Sequence, residues 1–192
     1  MKRAALLHGL RCDTGCAVTR PDGEAALMRR IPELAAGLPG LVTAAPGRPL
    51  QASVSPLDGS VVGKVPVCTQ QDVDTAVAGI RKAQHSWAGL PMARRRGVLR
   101  RFTGLLLEQE KDILDVVQAE SGKPPLGAFE ELADVVLTAR YYCRTAEKFL
   151  RPARHAGAAP GLTRTTVHRV PKGVVGVISP WNYPLTLAVS DA

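Results

Sequence analysis

Apolar and polar residues follow two periods along this chain, and each period predicts a different element. Over "RPLQASVSPLDGSVVGKVPV" two β-rich runs flank Pro56-Leu57-Asp58-Gly59, a turn signal, so the stretch predicts a β-hairpin. Thr69 with Asp72 three residues on is a capping-box start. Val73, Ala76, Val77, Ile80, Ala83 and Trp87 then recur at helical spacing, which predicts a helix with one buried face. Pro91 suits the first turn of a second helix, whose apolar members are Val98, Leu99, Phe102, Leu105 and Leu106. A third, "KDILDVVQAE", stops at Ser121-Gly122-Lys123-Pro124, because glycine closes a helix and the following proline cannot continue it. The longest helical pattern covers residues 126–150, where Phe129, Leu132, Val136, Cys143 and Leu150 are among the apolar positions.

The pattern weakens towards both ends. Residues 1–41 read as a weakly ordered N-terminal extension; only "EAALMRRIPELAAGL" hints at a helix, and Pro32 has to break or start it. After the long helix, "RPARHAGAAPG" reads as a loop and "TRTTVHRV" as a half-polar strand. Pro171-Lys172-Gly173 then turns the chain into an apolar strand, Val174, Val175, Val177 and Ile178. A strand so uniformly apolar belongs inside a sheet covered on both faces, usually a parallel one. One such strand cannot build that sheet. The expected class is α/β, with most of the sheet lying outside this chain. The unpaired strand edges also predict poor solubility for the isolated chain.

Composition narrows the function classes. With 45% hydrophobic and 22% charged residues in 192, the chain has the make-up of a soluble globular protein. The net charge of +8 is spread out: residues 1–48 carry 7 basic and 4 acidic side chains, residues 49–124 carry 10 and 8, and residues 125–192 carry 8 and 5. No basic block of the kind that grips a phosphate backbone is present. Arg94, Arg95, Arg96, Arg100 and Arg101 scatter around their helical wheel, which describes a solvated rim and not a nucleic-acid stripe. Cys12, Cys16, Cys68 and Cys143, and the scattered histidines His8, His85, His155 and His168, lack metal-ligand spacing. "MKRAALLHGLR" imitates a signal peptide only from Ala4 to Leu7, and no run approaches a membrane span. The expectation is a cytoplasmic protein with no metal, nucleic-acid or membrane partner.

The candidate chemistry lies where the apolar strand ends. In open α/β sheets ligands bind beyond the carboxyl ends of the strands. Ser179 to Pro184 occupy that end: Pro180 stops the ladder, Trp181 offers a flat surface, and Asn182 carries a neutral amide donor suited to a developing oxyanion. Pro184 can open a helix over "LTLAVSDA". The plainer alternative is a strand-to-loop corner, with Trp181 plugging the core and Asn182 satisfying a turn. Gly173 and Gly176 do not form a dinucleotide fingerprint. Lys123 of "SGKP" reads as a surface-turn lysine, and neither Cys68 nor Cys143 has a general base beside it in sequence.

These motifs carry a resemblance. "PKGVVGVISPWNYPLTLAVSDA" resembles the segment of the aldehyde dehydrogenase superfamily that leads into the cofactor site, and "QAESGKP" resembles the same family's signature at the end of an earlier helix. "ARYYCRTAEKFLRP", "PGLTRTTVHRVPKG" and the helix from Thr69 fit in the same order, so the likeness covers residues 42–192. The closing string is most similar to the NADP-dependent succinate-semialdehyde dehydrogenase branch. The resemblance implies the N-terminal part of the family fold: a helical layer, the first strands of a Rossmann-like cofactor domain, and part of the oligomerisation strands near residues 151–171. It implies an aldehyde substrate, NADP or NAD as cofactor, and a homo-oligomer for the full-length enzyme. Asn182 takes the oxyanion role, and Ile178, Ser179, Pro180, Trp181 and Asn182 take the wall beside the nicotinamide. The family's nucleophilic cysteine and water-activating glutamate come after this stretch, so neither Cys68 nor Cys143 matches the nucleophile. The chain is therefore expected to be inactive alone. A non-catalytic interaction partner, or one half of a split enzyme, is the alternative.

Overall fold

The computed structural model describes residues 21–159 and 161–192. Helix α1 (Pro21–Ala35) and a short 3-10 turn (Leu38–Leu41) lead into strands β1 (Leu50–Val54) and β2 (Val61–Pro66). Helices α2 (Gln70–Ala88), α3 (Met92–Glu108), α4 (Glu110–Ser121) and α5 (Pro125–Leu150) follow. Strands β3 (Ala153–Ala156) and β4 (Arg164–Val167) and helix α6 (Pro184–Ser190) complete the described chain.

β1 and β2 pair antiparallel from Leu50 opposite Pro66 to Val54 opposite Val61, with an irregularity after Ser53. The predicted hairpin is present, and Asp58 ties its turn by accepting the Ser60 N–H at 2.9 Å. Helix α1 lies on β2, where Ile31 packs with Val62 and with Ala119 of α4. Gly63 makes this approach possible, since a side-chain carbon there would stand 3.2 Å from Ala35. Two ion pairs close the same junction, from Arg30 to Asp112 at 2.7 Å and from Arg30 to Asp115. Pro32 neither breaks nor starts α1 but sits inside it. Burial of Ile31 and Ala35 on either side offsets the backbone bond that proline removes. Cys12, Cys16 and the "MKRAALLHGLR" segment lie outside the described residues.

The second core forms around α5. Leu132, Val135 and Val136 are buried with Leu106 of α3, and Phe102, Ile113, Leu114, Leu185 and Val189 pack around them. α4 ends as its sequence predicts: Gly122 takes a left-handed conformation (φ 71°) and returns its N–H to the Gln118 carbonyl at 2.8 Å.

Three further expectations are corrected. The helix over 70–88 forms, but its apolar stripe is not buried: Val73 is 48%, Ile80 52% and Trp87 43% exposed. No other described element packs broadly on it. Second, "RPARHAGAAPG" is not simply a loop, because Ala153–Ala156 pairs antiparallel with β4, Ala153 opposite Val167. Third, residues 173–179 form no strand. Strand structure needs a hydrogen-bonding neighbour, and both described sheets are two-stranded pairs that exclude this segment.

Candidate functional site

The five predicted site residues lie together on one short stretch, between the unpaired apolar run and α6. Ile178 is 99% and Trp181 83% exposed, Ser179 is half-buried, and Pro180 and Asn182 are exposed. Trp181 therefore does not plug the described core. The Asn182 amide makes no hydrogen bond among the described residues, so it does not satisfy a turn there either. Among the described residues, neither feature of the plain corner reading is present. What remains is an apolar strip facing outward with a free amide at its end.

The far side of that stretch is firmly held. Pro184 opens α6 at its first position, as predicted. Glu131 of α5, 1% exposed, directs its carboxylate at the new helix: Oε2 accepts the Leu185 N–H at 2.9 Å and the Thr186 N–H at 3.1 Å. The Thr186 hydroxyl donates back to the Glu131 carbonyl at 3.2 Å. The other carboxylate oxygen pairs with the Lys123 ammonium, which also stands 3.8 Å from the centroid of the Tyr183 ring. Lys123 is thus no surface-turn lysine; its side chain is 16% exposed.

The sequence pattern placed Lys123 on a surface turn and gave Glu131 and Tyr183 no role. One signal was available. Ala128, Glu131, Val135 and Ala139 recur in steps of three and four, all buried, so an acidic residue stands in the apolar stripe of α5. A buried carboxylate requires a partner, and its partners lie 8 and 54–55 residues away.

Ile178 and Trp181 present apolar surface that gains about 25 cal/mol per Å² when covered. The described residues supply no phosphate cradle beside it. The first amides of α6, where an anion could otherwise sit, are already satisfied by the Glu131 carboxylate. Behind the strip, Val174, Val175 and Val177 face Ile80 and Trp87 of α2 across a groove of about 620 Å³.

Neither described cysteine joins this stretch. Cys143 is buried on α5 with its thiol 3.8 Å from the Arg96 carbonyl. Cys68 is exposed at the exit of β2. Among the described residues no cluster of three or more His, Cys, Asp or Glu could hold a metal, and no helix is long and apolar enough to cross a membrane. Arg96 and Arg101 of the arginine run pair with Glu147 at 3.2 Å and Glu108 at 3.4 Å.

Comparison with known proteins agrees with the motifs. Residues 43–192 match the model of the aldehyde dehydrogenase family. A Mycolicibacterium smegmatis protein named "Putative succinate-semialdehyde dehydrogenase, NADP(+)" is 47% identical over 134 residues, covering 70% of this chain and 26% of its own length. Among solved structures, the NAD-dependent benzaldehyde dehydrogenase of Corynebacterium glutamicum superposes with a TM-score of 0.68 at 31% identity, over 76% of this chain and 31% of that one. The NADP-dependent glyceraldehyde-3-phosphate dehydrogenase of Bacillus halodurans, solved with NADP, gives 0.70 at 28% identity over 76% and 31%. The chain spans about a quarter of the length of the curated relatives it matches. On the family model, which covers all but the first 42 residues, this chain belongs to the aldehyde dehydrogenase family.

Proposed function

We propose that this chain is the N-terminal portion of an NAD(P)-dependent aldehyde dehydrogenase that oxidises an aldehyde to its carboxylic acid. Succinate semialdehyde is the first substrate to test, given the name carried by the 47% identical relative. The observation that supports the reading most is the exposed strip Ile178–Trp181 ending in the unengaged amide of Asn182.

In this reading the chain's residues act by placement. The Asn182 side-chain N–H donates to the aldehyde oxygen as negative charge gathers on it, and removing such a donor costs about 10²–10³ in kcat. Ile178, Ser179, Pro180 and Trp181 form one wall of the cofactor cleft and exclude water from that side. Bound NADP or NAD supplies the hydride acceptor. The thiol nucleophile and the carboxylate that activates water come from sequence beyond these residues, as does the phosphate-binding part of the cleft. Residues 151–171, which include the β3–β4 ribbon, serve subunit pairing in the assembled enzyme.

Two measurements test this. The purified 192-residue chain, given succinate semialdehyde and NADP, should show no increase in reduced-cofactor absorbance; thiol-dependent turnover overturns the assignment of the nucleophile to other sequence. Joined after Ala192 to the remaining three quarters of the Mycolicibacterium smegmatis relative, it should be active, and Asn182→Ala should lower kcat by about 10²-fold or more. Full activity in that variant removes Asn182 from the mechanism. A second reading, that the chain docks on a complementary dehydrogenase chain, draws on the uncovered stripe of α2 beside Val174–Val177. Recovery of activity on mixing the two separate pieces distinguishes it from a chain that works only when continuous.

A further inference from the structure

The hydrogen bonds beneath the Pro-Trp-Asn segment assign a task to two residues that touch neither aldehyde nor cofactor. Asn182 is bounded on one side by residues 173–179, which no sheet holds. On its other side Leu185 and Val189 pack on the α5 core, and the polar contacts at the start of α6 lead to one buried ion pair. Tyr183 lies under the Lys123 ammonium at 3.8 Å. Leu185 and Thr186 donate their N–H groups to Glu131 Oε2 at 2.9 and 3.1 Å, and the Thr186 hydroxyl reaches the Glu131 carbonyl at 3.2 Å. Glu131 Oε1 completes the circuit through Lys123, in the turn that closes α4.

A buried ion pair is a poor source of net stability, because apolar residues of similar volume are often as stable in its place. Its advantage here is directional. Leucine at 131 could fill the space but could not accept two backbone N–H groups, and methionine at 123 could not face Tyr183 with a charge. We propose that Glu131 and Lys123 are positioning residues for Asn182. They fix the first turn of α6 and the ring next to Asn182, so that the amide is held on the line along which the aldehyde oxygen arrives. This rests on the reading of Asn182 as oxyanion donor.

The test separates position from stability. Lys123→Met combined with Glu131→Leu removes both charges without orphaning either, so the helical core should persist. In the 192-residue chain, amide exchange at Leu185 and Thr186 should speed up about 10-fold or more, while Val135 and Ala139 on α5 keep their protection. Equal acceleration at all four sites, or none at Leu185 and Thr186, overturns the proposal. Lys123→Met with Glu131→Gln returns an uncharged acceptor and should restore most of the protection.

Kinetics in the joined dehydrogenase give the second readout. Lys123→Met with Glu131→Leu should lower kcat about 10-fold or more with the aldehyde KM little changed, and should cost under about 2-fold more in the Asn182→Ala background. Should the two losses multiply instead, Glu131 and Lys123 act independently of Asn182 and the positioning role falls. If Asn182→Ala alone leaves kcat untouched, it is the oxyanion reading that fails, while the exchange result stands separately.

Discussion

Helices α2 and α5 have much the same sequence grammar and opposite fates. Each carries an apolar residue every three or four positions. On α5 that stripe meets α3, α4 and α6, and Leu132, Val135, Val136 and Ala139 are buried. On α2 the corresponding Val73, Ile80 and Trp87 are about half exposed, and the nearest apolar segment, Val174–Val177, faces them only across a groove. Periodicity fixes which side of a helix is apolar. It does not say whether anything covers that side, because the cover is a non-local fact. The two helices also differ in what secures them. α5 is held through its middle, by packing and by Glu131, whereas the specific polar bonds of α2 gather at its start.

The widest separation between them should appear on truncating one side chain from each stripe. Leu132→Ala empties volume in the α5 core and should destabilise the chain by about 2–5 kcal/mol. Ile80→Ala on α2 should change stability by no more than about 0.5 kcal/mol, since its side chain is already half in water. Urea unfolding followed by far-UV circular dichroism measures both. Equal losses would mean that α2 is covered in solution and would end the contrast.

That contrast also marks how far the sequence could be read. The hairpin, the start of α3, the end of α4 and the start of α6 were legible because their signals are local: Asp58-Gly59 in a turn, Pro91 at the start of α3 (at its N-cap, one place before the first turn expected), Pro184 in the first turn of α6, Gly122 at a left-handed cap. Pro32 misled because a local rule, that proline interrupts a helix, is outweighed by burial of Ile31 against Val62 and Ala119, far off in sequence. The strand expected over 173–179 failed for the converse reason. Its composition is right, but a strand exists only with a neighbour. β3 was missed because "ARHA" pairs with β4 by backbone alone and carries no β-rich composition. The candidate site divides the same way: its five residues were visible as one contiguous motif, and the Glu131–Lys123 anchor beneath them was not.

The next effect is intermediate in size and concerns the fixed end of α2. Asp72 accepts the Thr69 N–H at 2.8 Å, pairs with Arg48 at 2.8 Å, and accepts the Ala45 N–H at 2.9 Å. The Thr69 amide first, then Arg48, then Ala45 hold its carboxyl well below the usual carboxylate range. A depressed carboxylate contributes stability that is fully present above its unfolded value, about pH 4, and is lost as pH falls towards its folded value. Acid titration of helicity should therefore show loss at the start of α2 setting in below about pH 4, and Asp72→Asn should flatten that part of the curve. Thr69→Ala, which removes the cap hydroxyl, should cost about 0.5–2 kcal/mol at neutral pH. Cap variants that leave α2 as helical as before would show that its stripe, and not its start, secures it.

A small change in folding stability should accompany a clear change in association. Replacing Ile80 and Trp87 together by serine removes the two bulkiest exposed apolar groups of α2 and leaves the α5 core untouched. Unfolding free energy should move by under about 1 kcal/mol, since half-exposed side chains have little burial to lose. Their surface still matters between molecules. Together with Val175 and Val177, which line the same groove, it leaves apolar surface in contact with water, the kind of surface that drives association. The serine pair should therefore lower binding of a hydrophobic dye and raise the concentration at which the chain stays monodisperse in light scattering. It should also weaken docking of the complementary dehydrogenase segment, if that segment covers α2. The same double substitution introduced into α5, at Val135 and Val136, should abolish folding, because there the stripe is already covered from within the chain.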